Sequence, residues 1–384
     1  MPHNLKIYLD HAASTPVRSE VLDKHEELAR TYFINPHGSS TQSEEAYRSV
    51  CAAEQELLSR LNISHKKAEV LWTSGGTEST NLACLGSARQ QGNGGILVES
   101  TGHSAIIEPC RQAAAEAALP YTEIPVDKSG QLQLDALEGT DTASAQLIAV
   151  CHVNSETGVV QDLERLREWM DLHAPHAVLM VDAAQSFGKL PVPWQQAHID
   201  FVATGGRKIG APPSTGALIK RRDANIAPLF FGGDQQRGLR PGTLDTVGIH
   251  EFLTAARKSI QEQDAEFERI KSLNTTLRQM VTDELSPFNP RIISPVRASP
   301  YVLAITFPGY EGSILMRTLA EKGIVVGTGS ACVSESRKAG YVLRAMGWDE
   351  STTRGMLRIS FGKTNTSEQI PALIEELHNV LQNY

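Results

Sequence analysis

The sequence has only five cysteines in 384 residues: Cys51, Cys84, Cys110, Cys151 and Cys332. Their number is odd, their spacing is wide and no CxxC pair occurs. A disulfide framework and a cysteine metal site are therefore not expected. Three of them fall in helical patterns and Cys151 in a strand pattern, so core packing is the ordinary role for those four. No apolar run approaches the ~18 residues that a membrane span needs. The opening Met1-Pro2-His3-Asn4-Leu5-Lys6 has no apolar signal core, which points to the cytoplasm. Positive charge is not in excess either: the net charge of -8 argues against a nucleic-acid binder and suits a soluble chain. There is no internal repeat and no low-complexity segment. What remains is ordinary globular composition, 41% hydrophobic and 21% charged. The length admits two or three domains and a sizeable core.

Along the chain, strand and helix patterns alternate. Ile7-Tyr8-Leu9 reads as a short strand, and helices are predicted over about 18–32 and from Thr41, where Ala46, Val50, Ala53, Leu57 and Leu61 recur at helical spacing. Apolar strands at Val70-Leu71-Trp72, Ile96-Leu97-Val98, 147–151 and 178–181 lie between helices. Continuous apolar strands of this kind predict an α/β fold with a mostly parallel, doubly wound sheet. After Gly233-Asp234-Gln235-Gln236-Arg237-Gly238 the texture changes, and about 249–285 reads as one charge-rich helix. Strands at 302–307 and 357–361 with flanking helices then suggest a smaller α+β unit. We place a large domain at 15–255, and a small domain at 1–14 plus 256–384 that carries the Cys332 loop.

One stretch organises the rest. Asp200-Phe201-Val202-Ala203-Thr204-Gly205-Gly206-Arg207-Lys208 is an apolar strand that runs into a glycine turn and presents a lysine. Val178-Leu179-Met180-Val181-Asp182 is a second strand, ending on a carboxylate. A turn-borne amine beside a strand-end aspartate suits pyridoxal phosphate: the lysine forms a Schiff base, and the aspartate keeps the pyridine nitrogen protonated. Alone, Lys208 reads more often as a surface lysine; further features spread over the chain reverse that. Thr73-Ser74-Gly75-Gly76-Thr77-Glu78 joins a strand to a helix and offers backbone amides to an anion. His103, shortly after a strand, can stack on a ring and move protons. Asn154 and Gln185 lie close behind strand ends, where a phenolic oxygen would sit. Gly327-Thr328-Gly329-Ser330-Ala331-Cys332 sets a cysteine among small polar residues, as a nucleophile on a loop would be set. Arg358, in a strand-like run, can clamp an α-carboxylate with two parallel bonds.

Together these motifs resemble the cysteine desulfurases, pyridoxal-phosphate enzymes of fold-type I in the class-V aminotransferase superfamily. The likeness spans Tyr8 to about Thr366, and its most specific pieces are Tyr8-Leu9-Asp10-His11-Ala12-Ala13, Thr73-Ser74-Gly75-Gly76-Thr77-Glu78-Ser79, Val181-Asp182-Ala183-Ala184-Gln185-Ser186, Arg240-Pro241-Gly242-Thr243 and Gly329-Ser330-Ala331-Cys332. The resemblance implies that Lys208 holds the cofactor and moves the substrate α-proton. It implies Asp182 on the pyridine nitrogen, His103 over the ring, Asn154 and Gln185 on the phenolic oxygen, and Gly76 and Thr77 on the phosphate. Thr243 would reach the phosphate of a neighbouring subunit, which implies a homodimer. Asn35 and Arg358 would bind the carboxylate of L-cysteine. Cys332 would attack the substrate sulfur, releasing alanine and leaving a persulfide for a protein acceptor, as in iron–sulfur cluster assembly. The Ser/Gly loop is similar to that of the subgroup with a mobile catalytic loop.

The sequence departs from the family pattern in three places. Arg207 stands where a histidine usually precedes the cofactor lysine, and Gly205 stands where a serine or threonine usually meets the phosphate. Arg207 is expected to replace both phosphate contacts with one charged fork. The chain stops at Asn383-Tyr384, where housekeeping members carry a longer tail that docks a scaffold protein; the sulfur acceptor is therefore left unspecified. A selenocysteine lyase or a cystine C–S lyase would share every cofactor residue and differ only in its need for Cys332. A non-catalytic relative kept for its dimer surface would have no use for lysine, aspartate, histidine and cysteine in this order.

Overall fold

The computed structural model describes residues 5–90, 92, 94–329 and 340–384. Strand β1 (Ile7–Tyr8) precedes helices α1 (Ser19–Thr31) and α2 (Thr41–Arg60). Strands and helices then alternate: β2 (Ala68–Thr73), α3 (Gly76–Ala88), β3 (Ile96–Glu99), α4 (Ser104–Ala117), β4 (Tyr121–Ile124), β5 (Leu147–Cys151), α5 (Leu163–His173) and β6 (Val178–Asp182). Next come β7 (Phe201–Gly205), β8 (Gly216–Arg221) and the 39-residue helix α6 (Thr246–Glu284). The remaining elements are β9 (Arg291–Ile292), β10 (Val302–Thr306), α7 (Gly312–Glu321), β11 (Ile324–Val325), α8 (Tyr341–Ala345), α9 (Glu350–Arg354), β12 (Met356–Ser360) and α10 (Gln369–Gln382).

Seven strands make one sheet in the order β2-β8-β7-β6-β5-β3-β4. Neighbours run parallel except β8, which is antiparallel to both β2 and β7. The parallel core follows from sequence: β5, β6 and β7 are apolar along their length and buried on both faces. Alternate residues sort to opposite sides. Ile148, Val150, Leu179, Val181 and Val202 face a core shared with α2, α5 and the start of α6. Leu147, Ala149, Met180, Phe201 and Ala203 face a core shared with α3 and α4. Strand β8 is less legible, because it ends in Lys220-Arg221. Lys220 is nevertheless buried, and it pairs with Glu69 at 3.2 Å directly across the β2–β8 ladder.

The order of connection reverses between β3 and β5: β4 lies to one side of this pair and β6 to the other. Ligands of open α/β sheets bind at the carboxyl ends of strands at such a switch point. A second core gathers β10, β12, α7, α10 and the far half of α6. Ile7 and Leu9 belong to it as well, because β1 pairs in parallel with β11, Ile7 opposite Ile324.

Candidate active site

Strands β6 and β7 lie side by side, with Asp182 in register with Ala203. Asp182 therefore ends its strand one turn of backbone away from the 3₁₀ turn Gly206–Lys208. Lys208 is partly buried, and its Nζ donates to the carbonyls of Ala12 at 2.8 Å and Ala13 at 2.6 Å. Desolvation lowers its pKa to about 8; Arg207 and Arg358 push in the same direction, against Asp182 and Asp10. Asp182 is buried, and among the described residues its carboxyl accepts one hydrogen bond, from the Ala184 N–H at 2.8 Å. Burial raises its pKa, while the Ala184 bond, His103 and Lys208 oppose that rise.

His103 caps α4, its Nδ1 accepting the Ala105 N–H at 3.1 Å. The residue is exposed, but enough protein surrounds the ring for desolvation to lower its pKa. Asn154 is buried behind β5. Its Oδ1 collects the N–H groups of Glu156 and Thr157, and its Nδ2 gives one proton to Thr101 O at 2.9 Å. Gln185 Nε2 gives one proton to Ala12 O at 2.9 Å. Each of these amides keeps a second proton for another acceptor.

Helix α3 starts at Gly76 with no side-chain cap, and Thr77 is exposed in its first turn. The approach is tight. A Cβ on Gly216 would stand 2.5 Å from Gly75 Cα, and one on Gly205 would stand 3.0 Å from Gly76 N. The phosphate-cup turn can therefore lie on the ends of β7 and β8 only because both positions are glycine. Arg207 is exposed and its Nε donates to Ser14 Oγ at 2.9 Å, so its guanidinium is tethered to the N-terminal loop.

Arg358, on β12, is buried and makes an ion pair with Asp10 at 2.6 Å. It also donates to Ser155 O at 3.2 Å, and its buried Nε has no hydrogen-bond partner among the described residues. Asn35 and Thr243 are exposed on loops, Asn35 Oδ1 holding the His37 N–H at 3.0 Å. Cys332 lies outside the described residues. A cavity of about 300 Å³ reaches Lys208 from the side of Lys189, His11 and Tyr301.

The fold thus gathers Lys208, Asp182, His103, Asn154, Gln185, Gly76 and Arg358 about the carboxyl ends of the central strands. Asn35 and Thr243 lie on exposed loops. Reading the motifs left Asp10 without a role, although it stands in the quoted stretch 8–13; its signal was an acid at a strand end. Lys189 was missed. It is buried, its Nζ lies 3.3 Å from Gln185 Oε1, and desolvation lowers its pKa to about 7. Glu99, buried at the end of β3, was missed too.

The aminotransferase class-V family model matches residues 7–373. The chain is 34% identical to the cysteine desulfurase IscS of Photorhabdus laumondii, over 97% of this chain and 92% of that protein. It is 33% identical to the cysteine desulfurase IscS of Escherichia coli, over 97% of this chain and 91% of that one. Among solved structures, a NifS-like protein superposes with a TM-score of 0.89 at 26% identity, covering 99% of this chain and all (100%) of the other. On its sequence, its sheet and these relatives together, the chain belongs to the class-V aminotransferase family and, within it, to the cysteine desulfurases.

Proposed function

We propose that the protein is a pyridoxal-phosphate-dependent cysteine desulfurase. It converts L-cysteine to L-alanine and passes the sulfur, held as a persulfide on Cys332, to a protein acceptor. The observation that carries the reading is Lys208, an amine desolvated to a pKa of about 8 at the strand ends that also hold Asp182. The names of the relatives favour this activity over a selenocysteine or cystine lyase.

The residues present fit the cofactor. Asp182 is a buried carboxyl with one backbone donor, and a protonated ring nitrogen would satisfy it. The uncapped start of α3 leaves N–H groups of Gly76 and Thr77 for a phosphate. Asn154 and Gln185 each keep a proton for a phenolic oxygen. His103 would cover the ring. When bound, pyridoxal phosphate supplies an aldehyde for amines and an electron sink beside the substrate α-carbon.

In this reading the chain's own residues bind and move protons. Arg358 takes the substrate carboxylate through its unpartnered Nε, and Asp10 holds the guanidinium in place. Asn35 adds a second contact from its loop. Lys208 Nζ, whose pKa desolvation lowers to about 8, accepts the α-proton in its neutral form and returns it at the carbon that becomes the alanine methyl or α-position. His103 exchanges a proton with the substrate thiol. The Cys332 thiolate then attacks that sulfur: the C–S bond breaks, an S–S bond forms, and the carbon fragment leaves as alanine. Arg207, tethered to Ser14, lies near enough on the chain to serve the phosphate in place of the usual histidine.

We also propose a homodimer in the cytoplasm, in which Thr243 serves the neighbouring site. Phe230 and Phe231, 57% and 87% exposed in the preceding loop, would then be covered by the second copy. The domain division at 15–255 belongs to the same proposal. The test is product analysis with L-cysteine for wild type and Cys332→Ala. Alanine from the wild type and almost none from the variant supports the reading. Undiminished turnover in the variant, or pyruvate and ammonia as products, makes the enzyme a lyase instead.

A further inference from the structure

Strands β3 and β5 flank the switch point of the sheet, and their ladder is short. Ile96 pairs with Leu147, Leu97 with Ile148 and Val98 with Ala149, and the ladder stops there. At the next step the strands part, and the side chain of Glu99 fills the opening. Its Oε2 accepts the Cys151 N–H at 2.8 Å, a group that a continued ladder would have bonded to backbone. Its Oε1 accepts from Thr101 Oγ1 at 2.5 Å and from Gln161 Nε2 at 3.2 Å. Glu99 is completely buried, and these three donors are all neutral. Such a carboxyl is an expensive way to hold two strands; an apolar residue would serve the core better.

What it holds explains its presence. Thr101, fixed by Glu99, offers the carbonyl that accepts Asn154 Nδ2. Cys151, fixed by Glu99 through its N–H, offers the Sγ that accepts the His103 N–H at 3.3 Å. The two residues that would meet the cofactor ring from the switch point, Asn154 through its side chain and His103 through its backbone N–H, are therefore both hung from one carboxyl.

We propose that Glu99 is a positioning residue: its carboxyl bridges the opened ends of β3 and β5 and so sets His103 and Asn154 against the pyridoxal ring. The inference rests on the cofactor reading above. Glu99→Ala removes the bridge. Glu99→Gln keeps its length but turns one acceptor into a donor facing donors.

Two measurements test it. In cofactor-free protein, backbone hydrogen exchange at Cys151, Glu156 and Thr157 should quicken by about tenfold or more in Glu99→Ala, with Val181 and Val202 unchanged. No change at those three amides, or an equal change across the whole sheet, overturns the proposal. In a titration with pyridoxal phosphate, both variants should bind about tenfold or more weakly, with a shifted absorption maximum. Wild-type affinity and spectrum in both variants overturn it as well. If Glu99→Ala does not fold, Glu99→Gln carries both measurements. If the wild type captures no pyridoxal phosphate, it is the cofactor reading that fails, and the exchange pattern decides alone whether Glu99 organises the gap.

Discussion

Replacing Arg207 with alanine should raise the pKa of Lys208, and the size of the effect can be worked out. Desolvation is the first cause of the fall to about 8, and Arg207 is the second. At pH 7 an amine titrating near 8 is roughly one-tenth neutral, whereas one near its ordinary ~10.4 is neutral roughly once in 2,500. The site therefore multiplies the reactive free amine about 200-fold. Arg207 is exposed, so solvent screens its share, and the variant should lose neutral amine at pH 7 by only roughly threefold. Competitive labelling of the cofactor-free chain with an amine reagent, read at Lys208 by peptide mass spectrometry over a pH series, measures this directly. Raising the salt should shrink the difference between the two proteins. A wild-type midpoint at about 10 or above would refute the desolvation argument. A midpoint that Arg207→Ala leaves unmoved at low salt would refute the electrostatic one. Stability must follow the same sign. With its folded pKa below the unfolded value, Lys208 opposes folding below about pH 8, and that penalty fades as the pH rises towards 10.5. Lys208→Met should accordingly melt higher than wild type at pH 7 and no higher at the top of that window.

Asp182→Asn should cut turnover by about 100-fold or more while the protein stays folded, because the electron sink loses its counter-charge. Burial raises the Asp182 pKa, so its charge opposes folding above about pH 4; cofactor-free Asp182→Asn should melt higher than wild type at pH 8 and equally at pH 3. Arg358→Ala should raise KM for L-cysteine steeply and cost about 3 kcal/mol in a denaturant titration, since it strands the Asp10 carboxylate; a KM within twofold of wild type would remove Arg358 from the carboxylate site. Gly216→Ala puts a methyl 2.5 Å from Gly75 Cα and should destabilise by about 1–3 kcal/mol, with weaker pyridoxal phosphate binding in a spectroscopic titration.

The doubly wound sheet was legible because Ile96-Leu97-Val98, β5 and β6 are apolar runs interleaved with helices. Strand β4 escaped because Tyr121-Thr122-Glu123-Ile124 carries a charge mid-run and is only partly buried. Strand β8 escaped because its buried Lys220 is neutralised by a residue 151 positions earlier, Glu69, a pairing no local pattern reveals. Lys208 and Asp182 could be read because each closes an apolar strand. Glu99 also closes one, but nothing local separates it from a solvated strand end. Its burial depends on the parting of β3 from β5, which only the sheet order displays. Lys189 is the same kind of case: its side-chain hydrogen bond, to Gln185, is local, but Tyr301, whose ring lies 5.5 Å from its Nζ, and Phe361, which lines the same cavity, are far along the chain.

The Asp10–Arg358 pair spans 348 residues, and β1 has no strand to lie against until Ile324 exists. Contacts of such separation carry a large closure entropy and form late. A growing chain could complete the seven-stranded sheet with Lys208 in place while its first dozen residues still hang loose. The Ala12 and Ala13 carbonyls that receive the Lys208 amine, and the arginine that Asp10 orients, would arrive only with β12. A protein ordered in this way would acquire its reactive centre as nearly its last act of folding, when little unfinished surface is left for a free aldehyde or a stray thiol to find.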